Sequence, residues 1–293
     1  MSSEVLGYLS ATGAALTWAL APVMYRLFID RLSYNAINAV RSLGYLASAA
    51  LYLLVMEGPE GFVLPRDPQL LWAIMAMGVV WFVVGDLLWF ACLHRLGASV
   101  SSVVFSSVPL LAVPGAWFFL GQVPSWGVVM AAFLIVSGLL VLNLRGQVAP
   151  VGTIRGGLLF ALGAMLTGLA GTLTNAWFVQ RMPVPQIEFW RAVSVTVISW
   201  GILAGVGDWR SVRSASWKCL GGTVAAGALS LTVGNLFWSY ALHYVAVGVA
   251  TCISATKPFV TTIFAALFLG ERITPRLVGG MALVVGGVLL LGR

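Results

Sequence analysis

Ten apolar runs of about 20 residues follow one another along the chain, separated by short polar stretches. They cover roughly 5–25, 34–56, 69–93, 98–120, 124–143, 156–179, 185–206, 218–242, 246–269 and 273–291. About 20 apolar residues carry a helix across the hydrocarbon core of a bilayer. Backbone groups in lipid must be paired within the segment, so each run predicts a spanning helix. None alternates apolar and polar residues in the manner of an outer-membrane barrel strand. The tightest connections are Gly121–Ser125 and Glu271–Thr274, and the longest are Glu57–Gln69, Arg145–Arg155 and Gly207–Trp217. None could hold a soluble domain. The pattern predicts an all-α integral membrane protein with ten transmembrane helices.

A ten-residue stretch occurs twice: Gly85–His94 reads GDLLWFACLH and Gly234–His243 reads GNLFWSYALH, 149 residues later. The same offset carries Pro109 onto Pro258, Phe119-Leu120-Gly121 onto Phe268-Leu269-Gly270, and Gly138 onto Gly287. Residues 85–142 and 234–291 share 17 identities in 58 positions, where composition alone would supply about five. Upstream the offset becomes 150, placing Leu16-Thr17 on Leu166-Thr167 and Arg41 on Arg191. The chain is thus an internal duplication, with repeats at 1–149 and 150–293. Five spans per repeat is an odd number, so the second repeat should enter the membrane in the opposite sense from the first.

Composition agrees: 60% of the residues are hydrophobic and 9% charged, against about 25% charged in soluble proteins. The net charge of +7 does not point to nucleic acid, because the arginines stand singly between apolar runs. Cys92, Cys219 and Cys252 lie in or beside apolar runs without metal or redox spacing and read as packing residues. The N-terminus lacks the basic region of a cleaved signal. Placed by the excess of Lys and Arg in the loops, both termini are expected outside.

The chemistry is confined to a few residues inside the spans. Ionisable groups there are costly and rarely face lipid. They are Arg41, Arg191, Asp86 and Lys257, with Glu188 near a helix start. Lys257 directly precedes Pro258. Proline has no amide proton, so the carbonyl of Ser254 loses its helical partner, and proline disfavours helix at the residue before it. A bend with a free carbonyl and an ammonium at mid-depth is expected. Lys257 would then belong to a substrate or coupling site, or to a structural pair with a carboxylate such as Asp86. Pro109 frees the carbonyl of Phe105 in the same way, near Ser102 and Ser106. Asp86 and Asn235 are equivalent, and each is followed one turn later by a tryptophan, Trp89 or Trp238. Arg41 and Arg191 read as structural ties. No nucleotide-binding loop, nucleophile–base motif or metal-ligand spacing is present, so no enzyme activity, cofactor or metal is expected.

Ten helices in two halves, Pro258, FLGER at Phe268–Arg272, the pairs Gly279-Gly280 and Gly286-Gly287, and an arginine in each second span together resemble the drug/metabolite transporter superfamily in its EamA-like branch. The first half departs from the pattern at Gln122-Val123, where the second has Glu271-Arg272. Within the branch the chain is most similar to YddG-type amino-acid exporters. The resemblance implies a central cavity lined by the first, third, fourth, sixth, eighth and ninth helices. On this sequence they carry Trp18, Asp86, Trp89, Ser102, Ser106, Thr167, Asn175, Asn235, Trp238, Ser254 and Lys257. It implies a multi-pass protein of the bacterial inner membrane that exports amino acids, aromatic ones included, or related small metabolites by alternating access. Cationic drugs and sugar phosphates or nucleotide sugars are the alternative substrates. Beyond the substrate and the lipid bilayer, no nucleic acid or obligate protein partner is implied.

Overall fold

The computed structural model describes residues 2–28, 32–92, 95, 107–143, 154–269 and 275–291. These residues contain no strand. The helices are α1 (Ser3–Phe28), α2 (Tyr34–Glu57), α3 (Pro68–Cys92), α4 (Val108–Leu120), α5 (Trp126–Asn143) and α6 (Ile154–Phe178), followed by α7 (Val184–Val206), the short α8 (Trp209–Ser214), α9 (Trp217–Tyr244), α10 (Val247–Ser254), α11 (Lys257–Leu269) and α12 (Pro275–Leu290). Among the described residues, six stretches are long and apolar enough to cross a membrane: α2, α3, Gly156–Phe178 in α6, α7, α9, and Val247–Phe264, which takes in α10 and the start of α11. Shorter apolar helices lie in α4, α5 and α12.

Local chemistry sets several boundaries. Ser33, Asp67 and Ser216 precede α2, α3 and α9, and their side chains accept from backbone N–H groups of the first turn, satisfying donors that a helix start leaves open. Gly121 ends α4 and Gly207 ends α7 with positive φ, 68° and 72°, a conformation glycine adopts without steric cost.

Two departures from regular helix matter for function. The ninth expected span is broken outright. α10 stops at Ser254, Ala255 and Thr256 form a turn, and α11 restarts at Lys257. α4 likewise starts one residue before its proline, at Val108, and the stretch preceding it, with Ser102 and Ser106, lies outside the described residues. The second departure was not expected. α3 and α9 each contain a π-helical segment, Val80–Val84 and Ala228–Val233. Each runs directly into the duplicated ten-residue stretch. Such turns frequently mark functional positions.

Equivalent helices meet in matching ways. A Cβ added at Gly138 of α5 would lie 2.6 Å from the carbonyl oxygen of Gly280 of α12, and one at Gly287 would lie 3.1 Å from that of Ala131. Gly280 and Gly287 stand 149 residues after Ala131 and Gly138. The two contacts are therefore one contact seen from both sides, and the helices run antiparallel. Likewise Gly13 of α1 faces Phe237 of α9 while Gly163 of α6 faces Leu88 of α3, and Gly234 faces Thr17 while Gly85 faces Thr167. The first helix of each half thus packs on the third helix of the other. Small residues allow these close approaches where no hydrophobic effect drives helices together.

Candidate functional site

The residues expected to line one cavity fall into three groups. The first lies where α1, α9 and α11 meet. The Nζ of Lys257 sits 4.5 Å from the centre of the Trp18 ring. Thr261, one turn further along α11, donates to the Ala19 carbonyl at 3.1 Å and seats α11 beside that ring. Trp18 donates its indole N–H to the Ser230 carbonyl at 3.0 Å, within the π segment of α9. Its ring lies 5.5 Å from that of Trp238. Trp238 is 2% exposed, and its own indole N–H has no hydrogen-bond partner.

This group is rich in donors. Among the described residues no carboxylate lies within ion-pair distance of Lys257, so the alternative of a Lys257–Asp86 pair is not what the structure contains. An ammonium over an aromatic face gains from the ring quadrupole, but the ring cannot neutralise it. A buried N–H without an acceptor costs about 1–3 kcal/mol. Ser254 lies at the end of α10, just across the break from Lys257. Its carbonyl would ordinarily accept from the amide of residue 258, and Pro258 has none. The group therefore contains a cation, a spare N–H and an under-bonded carbonyl.

The second group holds Asp86, which is ion-paired with Arg41 of α2. The guanidinium also reaches the Phe82 carbonyl at 3.4 Å. Thr167 of α6 packs on Gly85, the residue before Asp86, and Trp89 lies one turn beyond it.

The third group is a sealed polar network across α2, α6, α7 and α9. Glu188 Oε1 accepts from Arg191 at 3.2 Å and from the Ser239 hydroxyl at 2.8 Å, while Oε2 accepts from the Tyr45 hydroxyl at 2.6 Å. Asn175 accepts from Arg191 at 2.5 Å and donates to Ser239 at 3.0 Å. Asn235 is on the same face of α9 as Ser239, one turn earlier, and donates to the Leu231 carbonyl at 2.8 Å. The expected lining residues Asn175 and Asn235 thus belong to a fully buried face. The Asn235 Oδ1 has no hydrogen-bond partner, whereas Glu188, with both oxygens bonded, ties Tyr45, Arg191 and Ser239 together and rigidifies the fold around it.

Arg41 and Arg191 are the ties that the sequence predicts, but their partners are fixed only in the fold. The spacing of Glu188 and Arg191, three apart on a helix, was a usable signal. Tyr45 and Ser239 gave none, since a hydroxyl in an apolar run is common.

Comparison with known proteins agrees with this architecture. The EamA-like transporter family matches residues 5–144 and again 155–293. An uncharacterized transporter of Archaeoglobus fulgidus is 25% identical over 98% of both chains. A probable terminal-alkyne amino-acid exporter of Streptantibioticus cattleyicolor is 26% identical over 95% of this chain and 90% of its own. Phosphoenolpyruvate/phosphate translocator 1 of Arabidopsis thaliana is 42% identical over 59 residues, which are 20% of this chain and 14% of the translocator. A solved crystal structure superposes with a TM-score of 0.80 over 98% of both chains at 17% identity, which speaks for the fold alone.

Proposed function

The chain belongs to the EamA-like transporter family, and from that premise we propose that it exports amino acids or closely related zwitterionic metabolites across a bacterial plasma membrane. Lys257 carries the reading: an ammonium without a carboxylate among the described residues, over the Trp18 ring, which lies 5.5 Å from the ring of Trp238 with its orphan N–H. A substrate carboxylate would take both donors, and the substrate ammonium would take the Ser254 carbonyl across the helix break. Trp18 and Trp238 form apolar walls that tolerate varied side chains. Asp86, engaged by Arg41, stands outside this substrate site. A cationic substrate would meet the charge of Lys257 unfavourably. A phosphate would want several clustered cations, and Lys257 is the single cation of this group among the described residues.

The proposed cycle is alternating access between two inverted five-helix repeats, 1–149 and 150–293, with ten spans in all and both termini outside. The reciprocal contacts of α5 with α12, and of α1–α9 with α6–α3, support an axis in the membrane plane. The break before Pro258 is a hinge in this scheme, with Pro109 as its counterpart in the other half. Lys257→Met tests the site. Amino-acid binding and transport in proteoliposomes should be lost while the melting midpoint in detergent holds. Normal transport by Lys257→Met would remove the assignment. A cytoplasmically active reporter at Arg293 would reverse the orientation.

A further inference from the structure

Each half has one arginine in its second helix and one carboxylate to pair with it, but the carboxylate has changed place. In the first half it is Asp86 on the third helix, whose equivalent in the second half is Asn235. In the second half it is Glu188, three residues before Arg191 on the same helix, and its equivalent in the first half is Asn38. Glu188 has both oxygens occupied and a side chain that is 0% exposed. Asp86 binds Arg41 through Oδ2, and 27% of its side chain is open, while Arg41 is 9% open. A carboxylate inside a span is rarely left facing lipid, which favours the bundle interior for the open edge of Asp86. Arg41 meanwhile reaches the carbonyl of Phe82, inside the π segment of α3.

We propose that Asp86 is the proton-binding residue through which a transmembrane proton gradient drives export, and that Arg41 and the π segment at Val80–Val84 turn its protonation into a movement of α3. The proposal rests on the transport reading above. A proton delivered by cavity water forms an O–H bond on Asp86 and cancels its charge. Arg41 keeps its own proton and charge, loses its counter-ion, and settles on the carbonyls of the π segment, Phe82 first. That segment is a local irregularity in the hydrogen-bond ladder, with the amide of Gly85 bonded to the Val80 carbonyl, so it can shift register at low cost. Loss of the proton to the other side reverses the step. Among the described residues, the other charged or titratable groups near this stretch are Tyr45 of α2 and Glu188 and Arg191 of α7. Arg191 lies 5.9 Å from the Trp81 ring and 5.7 Å from that of Phe82, and all three are committed to the sealed network. α6 meets the stretch with Thr167, Gly168 and Gly171, none of them titratable.

The test uses full-length protein in liposomes with a labelled amino acid, comparing flux with and without a pH gradient. Wild type should show flux several-fold faster with the gradient. Asp86→Asn should retain exchange without a gradient, with the ratio falling to about one. Because Asp86→Asn deprives Arg41 of its counter-ion, a second variant combines it with Asn38→Glu, which supplies a carboxylate three residues before Arg41 as Glu188 does for Arg191. This variant should fold and exchange, with the ratio still at one. A wild-type ratio of one with active exchange overturns the proposal. So does a gradient response kept by Asp86→Asn or regained with Asn38→Glu, or loss of exchange in a double variant that still binds amino acid. Lys257→Met separates the two readings. If it binds and exchanges normally, the substrate site fails and the Asp86 result stands.

Discussion

The α1–α9 and α6–α3 interfaces are made of equivalent helices meeting at equivalent residues, and they hold different contents. In the first, Trp18 on the leading helix lies against Ser230 on its partner. In the second, the position equivalent to Trp18 is Gly168 and the one equivalent to Ser230 is Trp81, whose indole nitrogen would lie 3.9 Å from a Cβ added at Gly168. Each interface therefore keeps one tryptophan, contributed from opposite sides. Each places a cation on it: Lys257 over Trp18 at 4.5 Å, Arg191 near Trp81 at 5.9 Å. Arg191 is enclosed by Glu188 and Asn175, whereas Lys257 has no carboxylate partner among the described residues. A duplicated scaffold can divide labour in this way. The two cations are not equivalent by position, since Lys257 aligns with Val108 and Arg191 with Arg41; the enclosed one holds the bundle together, and the other is the one proposed to meet a solute.

The largest effect should come from breaking the sealed side. Glu188→Leu strands Arg191 in the interior and should cost roughly 3–5 kcal/mol, seen as a sharp fall in the melting midpoint in detergent. A fall no larger than that of Asp86→Leu would erase the distinction between sealed and open pairs. Next is the seam common to both halves. Gly280→Leu forces α12 away from α5 and should cost about 1–3 kcal/mol. Its neighbour Gly279 has nothing within 4 Å of an added Cβ, so Gly279→Leu should leave the midpoint where it is. An equal loss at both positions would show that the close approach of α5 and α12 does not matter. Asp86→Leu should cost about 1–2 kcal/mol, because Arg41 keeps the Phe82 carbonyl and solvent reaches the pair. The mildest change is Trp238→Phe. It keeps a ring packed against Trp18 and removes the orphan N–H, so stability should hold or rise slightly. Amino-acid affinity should fall about tenfold, the equivalent of one hydrogen bond to a charged group. Unchanged affinity would take Trp238 out of the carboxylate site.

Much was legible from the sequence by itself, wherever the determinant was local or periodic. The apolar runs dictated helices, because lipid cannot satisfy a backbone group, and six such stretches among the described residues are long and apolar enough to cross a membrane. The 149-residue offset exposed the duplication, and Pro258 announced the break before α11, because proline acts on its own turn. Lys257 stood out because an ammonium in such a run needs a reason. Only the tertiary structure decided the partners. Arg41 lies 45 residues from Asp86, and Tyr45 lies 143 from Glu188. Which polar residue faces which depends on how each helix is rotated against its neighbours, and in membrane helices, apolar on nearly all sides, the sequence carries little periodicity to fix that rotation. The π segments were invisible for a related reason. They shift a few backbone hydrogen bonds by one residue, a change that no residue type in Val80–Val84 or Ala228–Val233 announces.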